Sequence, residues 1–103
     1  MEKYTAETVR MLKALADETR LEIINMLAGG EMCACKILEN FEITQPTLSY
    51  HMKILTDCGL VDAKRDGAWI RYTLNNEAFE SIRSLFNSIC HRLNQGIGCN
   101  CSK

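Results

Sequence analysis

The stretch of sequence that decides the fold runs from Gln45 to Leu55 and reads QPTLSYHMKIL. At about 100° per residue, Leu48, Met52 and Leu55 fall on one side of a helix, which we expect to face a core. The other side carries small hydrogen-bonding side chains and one aromatic ring, in the set Gln45, Pro46, Thr47, Ser49, Tyr50, Lys53 and Asp57. Such a side can enter a DNA major groove, where Gln and Ser contact base edges and Lys contacts phosphate. The pattern alone fits a solvated helix face equally well.

A hairpin is predicted directly after this helix, which we expect to end at Cys58. Apolar and charged residues alternate from Leu60, Asp66-Gly67 is typical of a tight turn, and WIRYTL at 69–74 is typical of a second strand. Three basic residues cluster around the turn, namely Lys64, Arg65 and Arg71. They are placed to contact the DNA backbone or minor groove, which favours the DNA-reading interpretation of the helix.

Helical periodicity dominates the rest of the chain, with Asp17 as an expected cap and Gly29-Gly30 as an expected stop. The further predicted helices span about 5–16, capped by Thr5, and about 18–27, 32–39 and 77–93. The predicted fold class is therefore mainly α with a small β-hairpin, in the order α-α-α-α-β-β-α.

Length and composition indicate one folded domain. The chain has 103 residues, of which 47% are hydrophobic, and its 12 Lys+Arg against 13 Asp+Glu give a net charge of -1. These values exclude a disordered chain and argue against a general polycation, although a local basic face is compatible with them. We expect residues 1–95 to form the domain, and residues 96–103 to form a flexible, cysteine-containing tail behind Gly96 and Gly98.

We see neither a secretory signal nor an apolar run long enough for a membrane span, so we expect a cytoplasmic protein without a membrane partner. Thiols stay reduced in that compartment, and the six cysteines therefore need an explanation other than disulfides. We expect neither an enzyme nor a protein substrate. No Gly-rich phosphate loop is present in the sequence, and the cysteines lack the base and the anion-binding loop that a nucleophile needs.

The last predicted helix carries a heptad-like seam of large apolar residues. They are spaced three, four, three and four apart, as Phe79, Ile82, Phe86, Ile89 and Leu93. Such a seam suits packing on another helix, and packing on the chain's own core is the alternative. Five large apolar residues on one terminal helix of so small a domain favour a homodimer.

Three stretches resemble the ArsR/SmtB family of metal-responsive transcriptional repressors. Residues 15–24, LADETRLEII, look like the opening signature of that family, residues 45–55 closely resemble its recognition helix, and residues 66–72, DGAWIRY, resemble its wing. The resemblance covers nearly all of residues 5–93 in the right order. It implies a dimeric winged helix-turn-helix that covers double-stranded operator DNA until an inducing ion releases it. In the family the first and last helices form the dimer interface, which adds Val9 and Leu12 to the expected interface.

A pair of cysteines is the candidate inducer site. EMCACK at 31–36 resembles the Cys-x-Cys motif of the arsenic- and cadmium-sensing branches, and thiolates are ligands for soft ions. Two buried structural cysteines are the alternative. Residues two apart on a helix diverge by about 200°, so we expect chelation by Cys33 and Cys35 to require a distorted or unwound start of the third helix. Ion binding and DNA-competent geometry would then compete for one backbone segment.

The source of a third ligand is open. Leu38 stands where the arsenic-sensing pattern has its third cysteine, and trivalent arsenic is generally held by three thiolates. We expect Cys99 and Cys101 in the tail to supply the missing donor, from the same subunit or from its partner. Four thiolates would instead suit Cd(II), Pb(II) or Zn(II).

The other thiols and the last histidine are expected to have no part in the sensor. Cys58 and Cys90 fall near apolar faces, so we expect both in the core. His91 has no partner spaced to form the zinc-sensing set of the family, and a solvated or locally bonded role is expected for it.

We therefore expect a repressor that leaves its operator when arsenite, As(III), binds the cysteine thiolates. Three alternatives stay open: a Cd(II)-, Pb(II)- or Zn(II)-responsive repressor of the same fold, a repressor that responds to thiol oxidation, and a small thiol metal carrier that never touches DNA. A carrier would have no use for the outward face of residues 45–53 or for the wing.

Overall fold

The computed structural model describes residues 6–95 of the chain. Thr5 and the expected tail at 96–103, with Cys99 and Cys101, lie outside the described residues. The described chain forms α1 (Ala6–Leu15), α2 (Glu18–Leu27), β1 (Met32–Cys33), α3 (Ala34–Leu38), α4 (Gln45–Asp57), β2 (Val61–Asp66), β3 (Trp69–Leu74) and α5 (Asn76–Gln95). The predicted order of four helices, a hairpin and a last helix is confirmed, and β1 is an addition to it.

Short-range hydrogen bonds fix where α2 and α4 begin. The Asp17 carboxylate accepts a hydrogen bond from the Arg20 backbone N–H at 3.0 Å, and the Thr44 hydroxyl accepts one from the Thr47 N–H at 3.3 Å. Pro46, in the first turn of α4, has no N–H that would need a partner there. Each cap satisfies a donor that the helix itself leaves unpaired, and both helix starts agree with the sequence prediction.

The three strands form an antiparallel sheet in the order β1-β3-β2. β2 and β3 are the predicted hairpin, in register from Val61 opposite Leu74 to Asp66 opposite Trp69. Gly67 turns the chain between them with a φ of 65°, a conformation that favours glycine. The hairpin forms the wing of the domain.

The predicted third helix is wrong at its first two residues. Met32 and Cys33 form strand β1, which lies along the free edge of β3 with Met32 opposite Tyr72 and Cys33 opposite Arg71. The helix starts only at Ala34. The ladder with β3 gives the backbone groups of this segment hydrogen-bond partners that a helix start would have left unpaired.

One apolar core lies between the helices and the sheet. The predicted core side of α4 is confirmed, because Leu48, Met52 and Leu55 are each at most 2% exposed. They belong to one cluster with side chains of α2, α3, the turn after α4 and the sheet, including Ile23, Ile37, Leu60 and Val61. Full burial of such a side chain stabilises the fold by about 1.5–3 kcal/mol. The cluster therefore holds α4 against the domain and leaves its other side in solvent.

Helix α5 leaves the core after its first two turns. Ile82 is 7% exposed and belongs to the core, and Phe79 packs against the core. Further along, Ile89 is partly buried, while Phe86 and Leu93 are 50% and 66% exposed. The expected seam is thus divided between the chain's own core and an exposed apolar surface. None of the helices within residues 6–95, α5 included, is long and apolar enough to cross a membrane.

Helix α1 is divided in the same way. Ala14 is buried and Leu12 packs against the core, whereas Val9 is 45% exposed. Of the two α1 residues expected at a dimer interface, Val9 is therefore the one whose side chain is free of the chain's own core.

Candidate DNA interface and thiol site

The outward face of α4 is open to solvent along its length. Exposed side chains occupy every position that the sequence analysis assigned to DNA contact on this helix: Gln45, Pro46, Thr47, Ser49, Tyr50 and Lys53. Tyr50 is 61% exposed, although an aromatic ring gains free energy from burial. The face is therefore available to a partner, with hydrogen-bonding groups at its start and a cation further along.

A small polar network fixes the position of α4 against the first two helices. The Arg20 Nε donates to the Ala14 carbonyl oxygen at 2.7 Å, and its Nη1 lies 3.2 Å from His51 Nδ1. His51 Nδ1 also lies 4.0 Å from the Asp17 carboxylate. The sequence analysis gave His51 no structural role. The sequence contained one signal for this role of His51. The run Ala-Asp-Glu-Thr-Arg at 16–20 supplies both the cap of α2 and the arginine that contacts His51.

The charge state of Asp17 follows from this network. The hydrogen bond from the Arg20 backbone N–H has the largest effect and lowers the pKa of the Asp17 carboxyl below its usual 3.8. Burial opposes it, and the charges of Arg20 and His51 lower the pKa further. Asp17 is thus an anion whose charge the fold favours.

The wing presents cations of two kinds. Lys64 and Arg65 are exposed on β2 and form no ion pair with another residue of the part of the chain that the structure describes. The Arg71 Nε lies 3.7 Å from the Asp66 carboxylate, and on α4 the Lys53 Nζ lies 3.2 Å from the Asp57 carboxylate. Exposed pairs of this kind contribute at most about 1 kcal/mol. Both cations can therefore exchange their carboxylate partner for a phosphate.

The thiols of the Cys-x-Cys motif, Cys33 and Cys35, lie close together at the junction between the wing and α3. Cys33 is the N-cap residue of α3 with an extended backbone, φ −83° and ψ 158°, and Cys35 lies in the first turn. Their Sγ atoms are 2.9 Å apart, and both are free cysteines. The sequence analysis expected convergence of the two sulfurs to need a distorted or unwound start of the third helix, and this start is unwound here, because Cys33 belongs to β1. Cys33 lies outside the helix, so the divergence of about 200° between helical positions two apart does not apply to the pair.

The thiols of the pair differ in acidity. The hydrogen bond from the Cys35 thiol lowers the pKa of Cys33, and the Lys36 backbone N–H and the Arg71 guanidinium add to this effect. The same hydrogen bond raises the pKa of Cys35, together with burial and the neighbouring sulfur. These contacts favour the charged form of Cys33, and a thiolate is the form that binds soft ions.

A third protein ligand is not supplied within residues 6–95. Among these residues no group of three or more His, Cys, Asp and Glu side chains comes together as a metal site. Cys99 and Cys101, the expected further donors, lie outside the described residues. The structure thus brings together one pair of the four predicted thiol ligands, Cys33 and Cys35.

The two remaining cysteines divide between core and surface. Cys58 is buried, and its Sγ lies 3.4 Å from the Leu55 carbonyl oxygen, so the predicted core position is confirmed. Cys90 is exposed, and its predicted core position is wrong for the described chain. The reason is that α5 has already left the core by this turn, so apolar neighbours on the helix do not place Cys90 in the interior.

A cavity of about 290 Å³ lies between the thiol pair and the outward face of α4. Its walls come from α3, from α4 and from the turn and first residues of β3, and they include Cys35, Leu38, Gln45, Ser49, Trp69 and Tyr72. Trp69 is 55% exposed at this site. The sequence analysis treated Trp69 as a strand residue only, because aromatic residues are common in strands.

Comparisons with known proteins agree with this architecture. The family model of the bacterial regulatory proteins of the arsR family matches residues 17–63. An arsenical resistance operon repressor of Staphylococcus xylosus is 43% identical over 93 residues, which are 90% of this chain and 88% of that protein.

Two solved structures show the same fold. The crystal structure of an ArsR family transcriptional regulator superposes with a TM-score of 0.82 at 20% identity, over 91% of this chain and 97% of the other. The solution structure of a homodimeric winged helix-turn-helix DNA-binding domain from Mycobacterium bovis, of a possible ArsR-family regulator, gives 0.67 at 25% identity, over 89% and 92%. With the described helices, sheet and wing on the same plan, this chain belongs to the arsR family of bacterial regulatory proteins.

Proposed function

We propose that the chain is a homodimeric transcriptional repressor, which leaves its operator when arsenite binds the thiolates of Cys33 and Cys35. The observation that carries this proposal is the thiol pair, two free sulfurs 2.9 Å apart between the wing and α3. The similarity to an arsenical resistance operon repressor supports arsenic as the inducing element. The proposed role places the protein in the cytoplasm, where operator DNA and reduced thiols occur together.

The DNA-binding half of the proposal rests on exposed side chains. Gln45, Ser49 and Tyr50 are open to base edges in the major groove, with Pro46 and Thr47 at the same end of α4. Lys53 and the wing cations Lys64, Arg65 and Arg71 are placed for phosphate or the minor groove. A net charge of -1 is compatible with this role because these four cations lie on two elements only, α4 and the wing hairpin.

The coupling between inducer and DNA is proposed to run through the ladder between β1 and β3. Cys33 lies opposite Arg71 in that ladder, and the Arg71 charge acts on the Cys33 thiol. An arsenic atom on the pair would fix the backbone between β1 and α3 and would change the charge next to Arg71. A ligand releases DNA only if it binds the two states with different affinity, and this junction gives it contact with both the wing and α3.

The third arsenic ligand is proposed to come from Cys99 or Cys101. Arsenite forms three bonds to oxygen, and each can be exchanged for a bond to sulfur. The described residues supply two thiols at the site. With both tail cysteines the site would hold four thiolates, which is the donor set for the alternative inducers Cd(II), Pb(II) and Zn(II).

The homodimer is proposed to form through the exposed parts of α1 and α5. Val9, Phe86 and Leu93 are each between 45% and 66% exposed, and Ile89 is partly buried between them along α5. The homodimeric assembly of the related domain from Mycobacterium bovis supports this assignment. A dimer presents two copies of α4, which fits an operator with two half-sites.

The test is release from DNA in fluorescence anisotropy, with a fluorescent duplex that carries the promoter beside the chain's own gene. Arsenite should release the wild-type protein. Cys33→Ser and Cys35→Ser should each bind the duplex normally and fail to respond, because hydroxyl groups do not replace soft thiolates. Cys90→Ser is the matched control, since Cys90 is an exposed thiol away from the pair, and it should respond like the wild type. A normal response of both sensor variants would refute the thiol pair as the inducer site.

A second candidate function, a repressor that responds to thiol oxidation, is favoured by the same short distance between the two sulfurs. Release by peroxide without arsenite would support it over the arsenic sensor, and release by Cd(II) alone would favour the four-thiolate alternative. A metal carrier would bind the ions and would show no salt-dependent affinity for the duplex.

A further inference from the structure

We infer that the ligand of this site includes trivalent arsenicals that carry an organic group, with arsenic on Cys33 and Cys35 and the organic group in the adjoining cavity. The inference rests on the proposed function and names the ligand class of its sensor site. It is carried by the position of the cavity of about 290 Å³, whose wall contains Cys35 itself.

The bonding requirement of arsenic matches what the described residues offer. In a mono-organic arsenous acid, R–As(OH)₂, one bond goes to carbon and two go to hydroxyl groups. Reaction with the two thiols breaks both As–O bonds, forms two As–S bonds and releases two water molecules, with the thiol protons passing to the leaving hydroxyls. No oxidant or reductant is needed. The pair at 2.9 Å thus completes such a ligand without a third thiol.

The cavity has the chemistry that an organic group requires. Leu38 and Tyr72 contribute apolar wall next to Cys35, and the indole of Trp69 stands at the wing side. An aryl group placed there would bury apolar area against Leu38 and contact an aromatic ring, and both effects are favourable. Gln45 and Ser49 supply polar groups on the α4 side, where a polar substituent on the ring would find hydrogen-bond partners.

The experiment compares methylarsonous acid with phenylarsonous acid, which use the same two As–S bonds and differ in the organic group. Their affinities are measured by titration calorimetry on the full-length chain with Cys90→Ser, Cys99→Ser and Cys101→Ser. A capped hexapeptide of residues 31–36 serves as the reference, because it has the same dithiol and no cavity. The preference for phenyl over methyl should be about tenfold greater in the protein than in the peptide, equivalent to about 1.4 kcal/mol.

Two variants assign that preference to the cavity. Trp69→Ala removes a wall and should reduce the preference for phenyl, with methyl binding unchanged. Tyr50→Ala removes a comparably exposed aromatic ring that does not line the cavity, and it should keep the full preference. An equal preference in protein and peptide, or an equal effect of both variants, would overturn the inference.

Failure of the inference and failure of the proposed function are distinguishable. The calorimetric titrations contain no DNA, so a cavity-dependent phenyl preference establishes the ligand class whether or not the chain is a repressor. If arsenite releases the duplex while the phenyl preference is absent, the inference alone is wrong. If the preference is present and no arsenical releases the duplex, the proposed function alone is wrong.

Discussion

At the scale of single residues, the backbone of Cys33 decides the chemistry of the site. With φ −83° and ψ 158°, Cys33 ends a strand and precedes a helix, and this extended conformation brings its sulfur within 2.9 Å of the Cys35 sulfur. One more residue of helix at this point would turn the two side chains apart by about 200°. The same two cysteines would then be separate surface thiols.

The Asp17 carboxylate should make stability depend on pH. Its pKa in the folded chain is below the usual 3.8, so its stabilising effect is complete above that value and disappears as the pH falls through the folded pKa. Asp17→Asn keeps a capping side chain and removes the charge that faces Arg20 and His51. Urea unfolding at pH 7 should show Asp17→Asn to be less stable than the wild type, and the difference should shrink as the pH falls below the usual pKa of 3.8. Asp17→Ala, which also loses the cap, should cost about 1 kcal/mol more.

We expect Ser49 and Tyr50 to contact DNA bases and so to determine which DNA sequence is bound. Both side chains are exposed on the outward face of α4, so the double substitution Ser49→Ala/Tyr50→Ala leaves the core intact. Each lost base contact should weaken specific binding by about 1–3 kcal/mol. Anisotropy with the operator duplex and with a scrambled duplex of equal length measures the effect. Specific affinity should fall while nonspecific affinity and the unfolding midpoint stay constant, and an unchanged operator affinity would exclude this face as the reader.

At the scale of elements, the parts with a local signal agree with the sequence prediction. Helix α4 follows from the spacing of its apolar positions, and the hairpin follows from alternation around Asp66-Gly67. Strand β1 did not follow, because two residues are too few to show a period and their partner strand β3 lies far downstream. The Cys-x-Cys motif was therefore visible in the sequence, whereas the convergence of its sulfurs was not.

The wing cations should contribute to affinity without reading sequence. Lys64→Ala/Arg65→Ala removes two exposed positive charges from β2. Because each phosphate contact releases counterions, the slope of log K against log salt should become shallower by about 1 for each lost contact. Arg83→Ala is the matched control, since Arg83 is an exposed arginine on α5 whose partner is Glu80 at 3.2 Å. An equal slope for the wing variant and the control would remove the wing from the DNA interface.

At the scale of the whole molecule, the position of α5 separates folding from assembly. Phe86 is 50% exposed and Ile82 is buried in the core, although both were expected in one seam. Phe86→Glu should therefore give a folded monomer with a weaker operator affinity. Ile82→Glu should unfold the chain, because it buries an unpaired carboxylate. Sedimentation velocity reports assembly and circular dichroism reports folding; a Phe86→Glu protein that is still dimeric would exclude this end of α5 from the interface.

The cavity shows why three-dimensional sites escape sequence reading. Its walls combine Cys35 from α3, Gln45 and Ser49 from α4 and Trp69 from the wing, and no local pattern connects these positions. Each residue had a sufficient interpretation by itself, as a ligand, a base reader or a strand aromatic. Only the packing of the sheet against α4 brings these residues together around one cavity.

The cavity borders both proposed sites, and this has a consequence for how the protein responds to arsenical concentration. Cys35 belongs to the proposed sensor pair and Gln45 to the proposed DNA-reading face, yet both border one cavity. Linkage is reciprocal, so under the proposed function operator DNA should weaken arsenical binding by the same factor by which the arsenical weakens operator binding. Protein on an operator would then respond at a higher arsenical concentration than free protein. The surplus of free protein would act as a buffer that takes up the first arsenical to enter the cell, and additional operator copies would reduce this buffer by binding that surplus.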